Sequence, residues 1–358
     1  MNRTPRQRAE SFARDYGLQI PILMAPMAGA CPPELAISVA NVGGMGACGA
    51  LLMAPDQIAD WARQMRRGSN GAFQMNLWIP DPEPARDREN EAQLREFLAQ
   101  WGPRPQEEAA DTPNLDFKAQ CEGLLAAGPN VVSSIMGVYP PDFVAQLKER
   151  NIKWFATATT VKEARLAAEA GADVIVAQGM EAGGHRGSFD AADAEAALVG
   201  LFSLLPAIVD AVSVPVVATG GIADGRGVAA ALTLGAAAVQ IGTGLLRTPE
   251  AATHPVWADA IARTSPEETL PTRAFSGRLG RSIATRYVRK ASQPNAPRPA
   301  PYPIQRNLTA FMRGEGARDG NLDQMQVWAG QSAALASDKP AGELLGEIWE
   351  DAVRLLAT

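Results

Sequence analysis

The feature that most constrains the fold of this chain is a regular alternation between short β-branched apolar runs and longer amphipathic stretches. Strict alternation of strands and helices is typical of a parallel sheet with its helices outside. Eight such units within about 250 residues predict an α/β fold, a closed (β/α)8 or TIM barrel. An open doubly wound sheet, which usually carries fewer strands, is the alternative. The eight predicted strands are Ile20–Met24, Gly46–Ala50, Phe73–Trp78, Val131–Met136, Trp154–Ala158, Val174–Gln178, Val216–Thr219 and Val239–Gly242.

The stretches between the strands are Ala-rich and amphipathic, so they are predicted to be helices. Two segments fall outside this repeat. Residues 80–113 follow the third strand, contain a short helical stretch near Asn90–Trp101, and have the length of a functional or lid-like loop. Residues 249–358 are predicted to be a mostly helical appended domain that packs on the barrel domain, residues 1–248, and ends in the helix Ala341–Leu356. The helices predicted within the barrel are Pro33–Val42, Ala54–Arg67, Phe117–Ala127, Pro141–Arg150, Thr160–Ala170, Glu195–Val212 and Gly225–Leu234.

Charge and rare residue types exclude several classes of function. The 33 Lys and Arg residues against 39 Asp and Glu give a net charge of −6, which is unsuited to nucleic-acid binding. Cys31, Cys48 and Cys121 are widely spaced without a C-x-x-C pattern, so neither a disulfide framework nor a metal site is expected. There are two histidines, His185 and His254, and a mechanism that needs several imidazoles is excluded.

The N-terminal residues are charged and polar rather than signal-like, and no apolar run approaches the roughly 18 residues of a membrane span. We therefore expect a cytoplasmic protein without membrane partners. Gly44–Gly49 fits the G-x-G-x-x-G dinucleotide pattern, but its glycines follow a predicted helix and lead into a strand. The dinucleotide motif requires the opposite order, so we interpret these glycines as a tightly packed turn.

Two glycine clusters follow the last two predicted strands, where barrels often bind phosphate. Gly220 and Gly221 come after the seventh strand, and Gln240–Gly244 spans the end of the eighth. Glycine lets backbone N–H groups approach an anion, and Thr243 adds a hydroxyl donor. Because no Walker pattern accompanies these clusters, they predict the phosphate of a tightly held cofactor, although glycine also simply shortens such turns.

A third glycine-rich segment, Gln178–Gly187, follows the sixth strand and carries His185. It is predicted to be a flexible loop on the carboxyl face of the barrel, where catalytic groups of this fold lie. Asn76 and Gln178 end two strands on the same face, and their amides can bind a heterocycle without adding charge. His254 lies beyond the last strand and is expected to be structural or exposed.

Seven segments of the chain are distinctive when taken together: Ala25–Gly29, Gln74–Leu77, Val174–Gly187, Ala218–Asp224, Gln240–Thr243, Pro301–Pro303 and Trp328–Gln331. The first five resemble the nitronate monooxygenases, and the two in the tail resemble their longer, class I branch. The resemblance covers nearly the whole chain, and the motif after the sixth strand is its most specific part. It implies an FMN-binding barrel that oxidises alkyl nitronates, such as propionate 3-nitronate, with O2 to carbonyl compounds and nitrite through a flavin semiquinone.

The resemblance also implies the site residues. His185 matches the active-site histidine, and Tyr302 is a candidate for binding the substrate. Residues Val132–Pro140 depart from the family pattern, which leaves the substrate preference open. The FMN contacts carried over by motif are Ala25, Pro26, Met27, Asn76, Gln178, Gly183, Gly184, Gly220, Gly221, Gln240, Ile241, Gly242 and Thr243.

Three other functions are weighed against this one. A flavin-dependent enoyl-acyl-carrier-protein reductase shares the barrel and a similar Gly-Gly-His loop, but the tail with Trp328–Gln331 favours the nitronate branch. Inosine-monophosphate-dehydrogenase-like chemistry would require a cysteine in the loop after the sixth strand, which has none. A barrel that binds FMN without turnover is the third. The expected partners are the nitronate and O2, and the chain is expected to be a monomer or a homodimer.

Overall fold

Eight parallel strands close into a barrel in the computed structural model, which describes residues 4–357. The backbone N–H of Met24 donates to Met45 O at 2.9 Å, and Met45 N–H donates to Ile22 O at 3.1 Å, which joins the first strand to the second. The predicted barrel is confirmed, and the open-sheet alternative is wrong. The barrel strands are β1 (Ile22–Met24), β2 (Gly46–Gly49), β3 (Phe73–Trp78), β4 (Val131–Ile135), β5 (Lys153–Ala158), β6 (Val174–Gln178), β8 (Val216–Thr219) and β9 (Ala238–Ile241). The short strand β7 (Gly184–His185) lies outside the barrel.

The amino-terminal end of the barrel is closed by an apolar plug that the sequence did not predict. Helix α1 (Pro5–Asp15) begins with a capping box between Thr4 and Gln7, which satisfies the first backbone N–H groups. Its Phe12 ring lies 6.3 Å from the ring of Phe155 on β5 and packs with the inward side chains of the strands. Polar inward side chains occupy the opposite, carboxyl end, so that end holds the candidate site.

The outer helices confirm most of the helical predictions, with ends that differ by one or two residues. Four barrel helices precede the strand β5: α2 (Pro33–Asn41), α3 (Pro55–Gly68), α5 (Phe117–Ala127) and α6 (Pro141–Glu149), with α4 (Arg88–Leu98) in the 80–113 segment. They are followed by α7 (Val161–Glu169), α8 (Leu201–Val209) and α9 (Gly225–Thr233). Among residues 4–357 no helix is long and apolar enough to cross a membrane.

The prediction for Glu195–Val212 was wrong at its start and three residues too long at its end, because α8 extends only from Leu201 to Val209. The preceding residues bond to the loop after β6 instead of to a helix of their own. Met180 N–H donates to Val199 O at 2.9 Å, and the Arg186 guanidinium donates to Ala197 O at 3.1 Å. These tertiary hydrogen bonds compete with the helical ones for the same carbonyls.

The final helix, α14 (Ala341–Leu356), packs against α9 and α2, the helices on either side of the gap after β9. That is the place of the eighth helix in a (β/α)8 ring. The division into domains at residue 248 stays a prediction, and this packing indicates that the last βα unit is completed by the end of the chain. The segment Gly44–Gly49 consists of the turn into β2 and of β2 itself. A Cβ on Gly46 would lie only 2.7 Å from Ala36 O, which confirms the packing interpretation.

Between β9 and α14 the tail is mostly helical but also contains two strands that the sequence did not predict. Strands β10 (Thr269–Thr272) and β11 (Gly280–Ile283) form an antiparallel sheet with β7. The tail also packs against the 80–113 segment, where Leu94 and Phe97 share an apolar cluster with Phe275. The helices of this part are α10 (Pro255–Arg263), α11 (Arg286–Ala291), α12 (Ile304–Leu308) and α13 (Ala310–Asp319).

Candidate active site

The backbone of His185 is held as a strand rather than as the flexible loop that the glycines suggested. His185 and Gly184 pair antiparallel with Gly280 and Arg281 of β11. The side chain of Gln178, at the end of β6, reinforces this placement: its Nε2 donates to His185 O at 3.0 Å, and its Oε1 accepts from Gly187 N–H at 2.8 Å. Both ends of the Gln178 amide therefore bind the loop, and this residue positions His185.

Arg186 points the other way and ties the same loop to the barrel. The residue is buried, and its guanidinium donates to three backbone carbonyls, those of Gln178, Thr159 and Ala197. Burial lowers the pKa of Arg186 to about 10, which still leaves it charged at neutral pH. A buried cation that satisfies several carbonyls makes the loop costly to displace, so the imidazole next to it has one defined position.

The His185 ring lies in an aromatic pocket built from three distant segments. Its centroid is 4.6 Å from that of Trp78 at the end of β3 and 4.9 Å from that of Trp328 in the tail, both edge-on. Its Nε2 is 2.7 Å from the hydroxyl of Ser276, which is buried between β10 and β11. None of these three partners is near His185 in the sequence.

The hydrogen-bond network assigns the tautomer of His185. Arg278 O, 3.2 Å from the Ser276 hydroxyl, can only accept a hydrogen bond. We therefore assign the hydroxyl proton to that carbonyl, which leaves the hydroxyl oxygen to accept from the imidazole. Nε2 therefore carries the proton, and Nδ1 is left with a lone pair. Within residues 4–357 no hydrogen bond occupies Nδ1. The site thus presents an unengaged base at the carboxyl end of the barrel.

The pKa of His185 is lowered to about 3, first because burial penalises the imidazolium and then because Arg278, Arg306 and Arg313 add positive charge nearby. The imidazole is consequently neutral at physiological pH. The charge of Arg278 is balanced by a bidentate ion pair with Asp81 from the 80–113 segment. The field at the site is positive on balance, which favours an anion beside His185.

A layer of amides crosses the barrel below this pocket. Gln74 of β3 donates through Nε2 to Met24 O and to Gln240 Oε1, each at 3.0 Å. Asn76 donates to the Ser133 hydroxyl at 3.1 Å. The Oε1 atom of Gln74 is buried without a hydrogen-bond partner. A buried acceptor in this state costs free energy unless a donor from a bound molecule or water meets it, so the barrel centre is a candidate binding position.

The predicted phosphate-binding glycines form two neighbouring turns at the same end. Gly220 and Gly221 have φ values of 111° and 70°, which favour glycine, and their β8 lies beside β9. Gly242 is close to the segment after β1, because a Cβ on it would lie 3.3 Å from Ala25 Cβ and 3.6 Å from Met27 Sδ. Ala25 N–H also donates to Ile241 O at 2.9 Å.

Two predicted residues have structural partners that the sequence did not reveal. The Thr243 hydroxyl accepts from Gly330 N–H at 3.0 Å and so holds the tail over the loop after β6. A Cβ on Gly183 would lie 2.6 Å from Ala329 C, which explains the glycine there by close packing. Gly184, with a φ of 75°, has open space where a Cβ would be. Pro26 lies in the half-buried segment after β1.

Tyr302 joins the site through Trp78, whose ring centroid is 5.2 Å away, and its hydroxyl is 3.5 Å from Asn114 Oδ1. The atypical segment 132–140 contributes to both regions: Ser133 accepts a hydrogen bond from Asn76 at the barrel centre, and the buried Tyr139 packs against Phe143 and Trp154 in the core. His254 is structural as predicted: its Nδ1 accepts from Val256 N–H at the start of α10.

Sequence reasoning missed Ser276, Arg278 and Asp81, which lie far from the glycine clusters. Nothing in the local sequence of Ser276 and Arg278 marks them, and Asp81 was covered only by the prediction that residues 80–113 form a functional or lid-like loop. Gln74 and Trp328 stood within segments of the resemblance, and their polar or aromatic character next to those motifs was a usable signal.

Comparison with known proteins agrees with this geometry. The family model described as nitronate monooxygenase matches residues 11–351. A probable nitronate monooxygenase of Staphylococcus aureus (strain JH9) is 36% identical over 337 residues, covering 92% of this chain and 94% of its own. The nitroalkane oxidase of Streptomyces ansochromogenes is 34% identical in structural alignment, with a TM-score of 0.89 over 97% of this chain and 100% of its own.

FabK from Thermotoga maritima is similar at a lower level, with 28% identity and a TM-score of 0.75 over 100% of this chain and 98% of its own. The enoyl reductase domain of MlnA from Bacillus amyloliquefaciens, at 13% identity, shares the fold alone. The match over nearly the full length, together with a neutral histidine above a polar barrel centre, leads to one conclusion: the chain belongs to the nitronate monooxygenase family and is a flavin-dependent oxidoreductase.

Proposed function

We propose that this enzyme uses FMN and O2 to oxidise alkyl nitronates, such as propionate 3-nitronate, to a carbonyl compound and nitrite. The observation that supports this most is the neutral His185 with an unengaged Nδ1 in a positively charged pocket. A nitronate is an anion, and the neighbouring guanidinium groups favour its binding. A cytoplasmic location and a monomeric or homodimeric state remain predictions from the sequence.

The residues at the barrel centre fit a flavin. Gln74 Oε1 is a buried acceptor that lacks a donor, and an isoalloxazine ring carries an N–H group that could meet it. The thirteen positions carried over from the family surround the same end of the barrel, with the glycine turns of Gly220–Gly221 and Gly242–Thr243 available to the phosphate. When bound, the flavin supplies the redox chemistry, and the protein supplies position and charge.

The base chemistry belongs to His185. With Nε2–H held by Ser276, the free Nδ1 can take a proton from the carbon next to the nitro group of a neutral nitroalkane. The product is an imidazolium beside a nitronate anion, and their attraction offsets the cost of charging a buried imidazole. A nitronate that is supplied ready-made does not require this step. Trp78 and Trp328 exclude water from the edges of the imidazole.

The first experiment follows from the cofactor. The purified protein is expected to show a flavin spectrum and to release FMN on heating, as judged by chromatography against FMN and FAD standards. An oxygen electrode should then record uptake on addition of propionate 3-nitronate or propyl-2-nitronate, with nitrite in the products. Bound flavin without any nitronate-dependent uptake would support the non-catalytic barrel. Rapid anaerobic bleaching by NADH without a response to nitronates would support the enoyl reductase.

A second experiment tests the role of the histidine. His185→Asn should retain flavin and lose activity toward neutral 1-nitropropane by about 100-fold or more, as general-base removal typically does. Its activity toward the preformed propyl nitronate should fall much less. His254→Asn is the matched control, because Asn preserves the cap of α10 that His254 now provides. Equal rates for His185→Asn and the parent on 1-nitropropane would show that His185 is not the base.

A further inference from the structure

The ion pair between Asp81 and Arg278 joins the 80–113 segment to the tail beside the active site. The Arg278 side chain is only 2% exposed, and that of Asp81 is 22% exposed. Both carboxylate oxygens of Asp81 accept from this guanidinium, with Nε 2.8 Å from Oδ2. The third nitrogen, Nη1, donates to Ser188 O at 2.7 Å, in the segment that follows β7. Arg278 is therefore clamped by two segments from different parts of the chain.

Arg278 lies in the connection between β10 and β11, residues 273–279, which also carries Ser276. The start of this connection is held by the tail, since Ala274 O accepts from the Tyr287 hydroxyl at 2.8 Å. Its end is the part that reaches the active site, and the clamped side chain of Arg278 anchors that end. The position of the Arg278 carbonyl therefore depends on the ion pair.

The Ser276 hydroxyl transmits this position to the imidazole. Its oxygen is 3.2 Å from Arg278 O and 2.7 Å from His185 Nε2. A hydroxyl both donates and accepts, so the direction of its bond to Nε2 depends on whether a carbonyl takes its proton. With Arg278 O in place, the hydroxyl accepts from Nε2–H, and Nδ1 keeps its lone pair. If Arg278 O withdraws, the hydroxyl can donate to Nε2, and the neutral ring then carries its proton on Nδ1.

The same connection forms a second ion pair, which is exposed. Arg273 pairs with Glu195 at 2.6 Å, and the Glu195 side chain is 51% exposed. Such a pair is screened by solvent and contributes little to stability. Loss of Asp81, in contrast, would leave a buried cation without its counter-charge, and this cation is expected to move toward solvent or another acceptor. Because the side chain and the carbonyl belong to one residue, that motion displaces Arg278 O.

We propose that Asp81 is a positioning residue: by fixing the carbonyl of Arg278, it keeps the lone pair of His185 on Nδ1. The inference rests on the proposed function and deepens it, because only this tautomer can take a proton from a neutral nitroalkane at Nδ1. It also gives the start of the 80–113 segment a role in assembling the site. Asp81 acts through two other residues, so its effect must appear as a change in the state of the histidine.

The first test observes the tautomer itself. The chain contains two histidines, so protein labelled with 15N-histidine gives two sets of imidazole signals, and His254→Asn assigns them. In the flavin-loaded parent at pH 7, His185 is expected to be protonated at Nε2 and unprotonated at Nδ1. Asp81→Asn should shift its signals toward a mixture in which most rings carry the proton on Nδ1, since one hydrogen bond is worth a ratio of about fivefold. Asp81→Glu keeps the charge and should retain the parental signals.

The second test relates the tautomer to the rate. In Asp81→Asn, kcat/KM for 1-nitropropane should fall by the same factor as the fraction of rings with a free Nδ1, about three- to fivefold. For propyl-1-nitronate, which needs no base, kcat/KM should stay within about twofold. Because Asp81 acts through Ser276, adding Asp81→Asn to Ser276→Ala should lower the rate on 1-nitropropane by less than about 1.5-fold further. Additive losses in this double-mutant cycle would refute the route through Ser276.

Glu195→Gln is the matched control, because it removes a carboxylate from the exposed ion pair of the same connection. It should leave the tautomer and both rates as in the parent, and a shift as large as that of Asp81→Asn would refute the special role of the buried pair. Arg278→Lys covers the case in which Asp81→Asn does not fold. Lysine keeps the charge pair but lacks the fork that binds Asp81 and Ser188 O together, so the same shift toward Nδ1–H is expected.

Failure of this inference and failure of the proposed function give different results. Parental 15N signals in Arg278→Lys, or in folded Asp81→Asn, refute the positioning role whatever the activity. If the signals change as expected while the parent oxidises neither 1-nitropropane nor propyl-1-nitronate, the oxidation proposal fails and the positioning role of Asp81 stands.

Discussion

The contact between His185 and Ser276 carries the most specific prediction. Ser276→Ala removes the one acceptor that selects the Nε2–H tautomer, at an Nε2–Oγ distance of 2.7 Å. A hydrogen bond between neutral groups contributes about 1 kcal/mol, and one to a charged group about 2 kcal/mol. Proton abstraction turns the imidazole into imidazolium, so the bond strengthens by roughly 1 kcal/mol on the way to the transition state.

A differential loss of about 1 kcal/mol corresponds to a fall of roughly fivefold in kcat/KM for 1-nitropropane. The loss grows toward tenfold if the released ring also populates the tautomer with a protonated Nδ1, which cannot act as a base. Oxidation of the preformed propyl-1-nitronate does not require proton abstraction, so kcat/KM for this substrate should fall by less than twofold. Oxygen uptake under both substrates, with flavin content measured for each variant, gives the comparison.

Ser282→Ala is the control for this prediction. Ser282 is as buried as Ser276, and its hydroxyl donates to Val327 O at 2.9 Å without touching His185. Both variants lose a buried hydroxyl and should have similar stability, but only Ser276→Ala should discriminate between the two substrates. An unchanged rate of Ser276→Ala on 1-nitropropane, or an equal loss in Ser282→Ala, would refute the tautomer argument.

Three further predictions concern pH, packing and the ion pair beneath the site. The pKa of His185 is about 3 in the folded protein and about 6.5 when exposed, so on acidification the unfolded state binds the proton first. The free energy of unfolding should therefore fall as pH drops from 6.5 toward 3, by up to about 1.4 kcal/mol per pH unit. His185→Gln should flatten this dependence on pH in urea titrations. Gly183→Ala should displace the tail around Gly330, because the new Cβ would lie 2.6 Å from the backbone carbon of Ala329. Hydrogen exchange should rise in this part of the tail. A fully native exchange pattern would argue against the clash. Asp81→Asn leaves Arg278 buried without its charge partner and should lower the free energy of unfolding by about 3 kcal/mol; a loss below about 1 kcal/mol in chemical denaturation would mean that solvent already screens the pair.

The barrel itself could be predicted from the sequence because its signal is local and repeated. Each strand such as Val174–Gln178 is a short apolar run, each helix such as Phe117–Ala127 follows an amphipathic pattern, and the eightfold repetition leaves few alternatives. The start of α8 was mispredicted for the converse reason. Its residues favour a helix locally, but their carbonyls bind Met180 and Arg186 from another segment.

Only the part of the candidate site that lies at the carboxyl ends of the strands could be predicted from the sequence. Parallel strands expose their carboxyl ends on one face, so glycines and amides that end those strands, including Gln178 and Gly220, had to gather there whatever the details of packing. The sequence did not indicate that both the nitrogen and the oxygen of the Gln178 side-chain amide form hydrogen bonds with the His185 loop. Hydrogen-bond partners are chosen by distance in space, which composition does not encode.

By itself, then, the sequence determined the barrel, the face that carries the chemistry and the histidine that stands on it. Tertiary structure alone decided the state of that histidine. Ser276 selects its tautomer, Arg278 and Arg306 add positive charge, and Trp328 covers its edge, although these residues lie about 90 to 140 positions away along the chain. The physical reason is that protonation and tautomer depend on burial and on nearby charges. Both arise only when the tail folds back across the carboxyl end of the barrel.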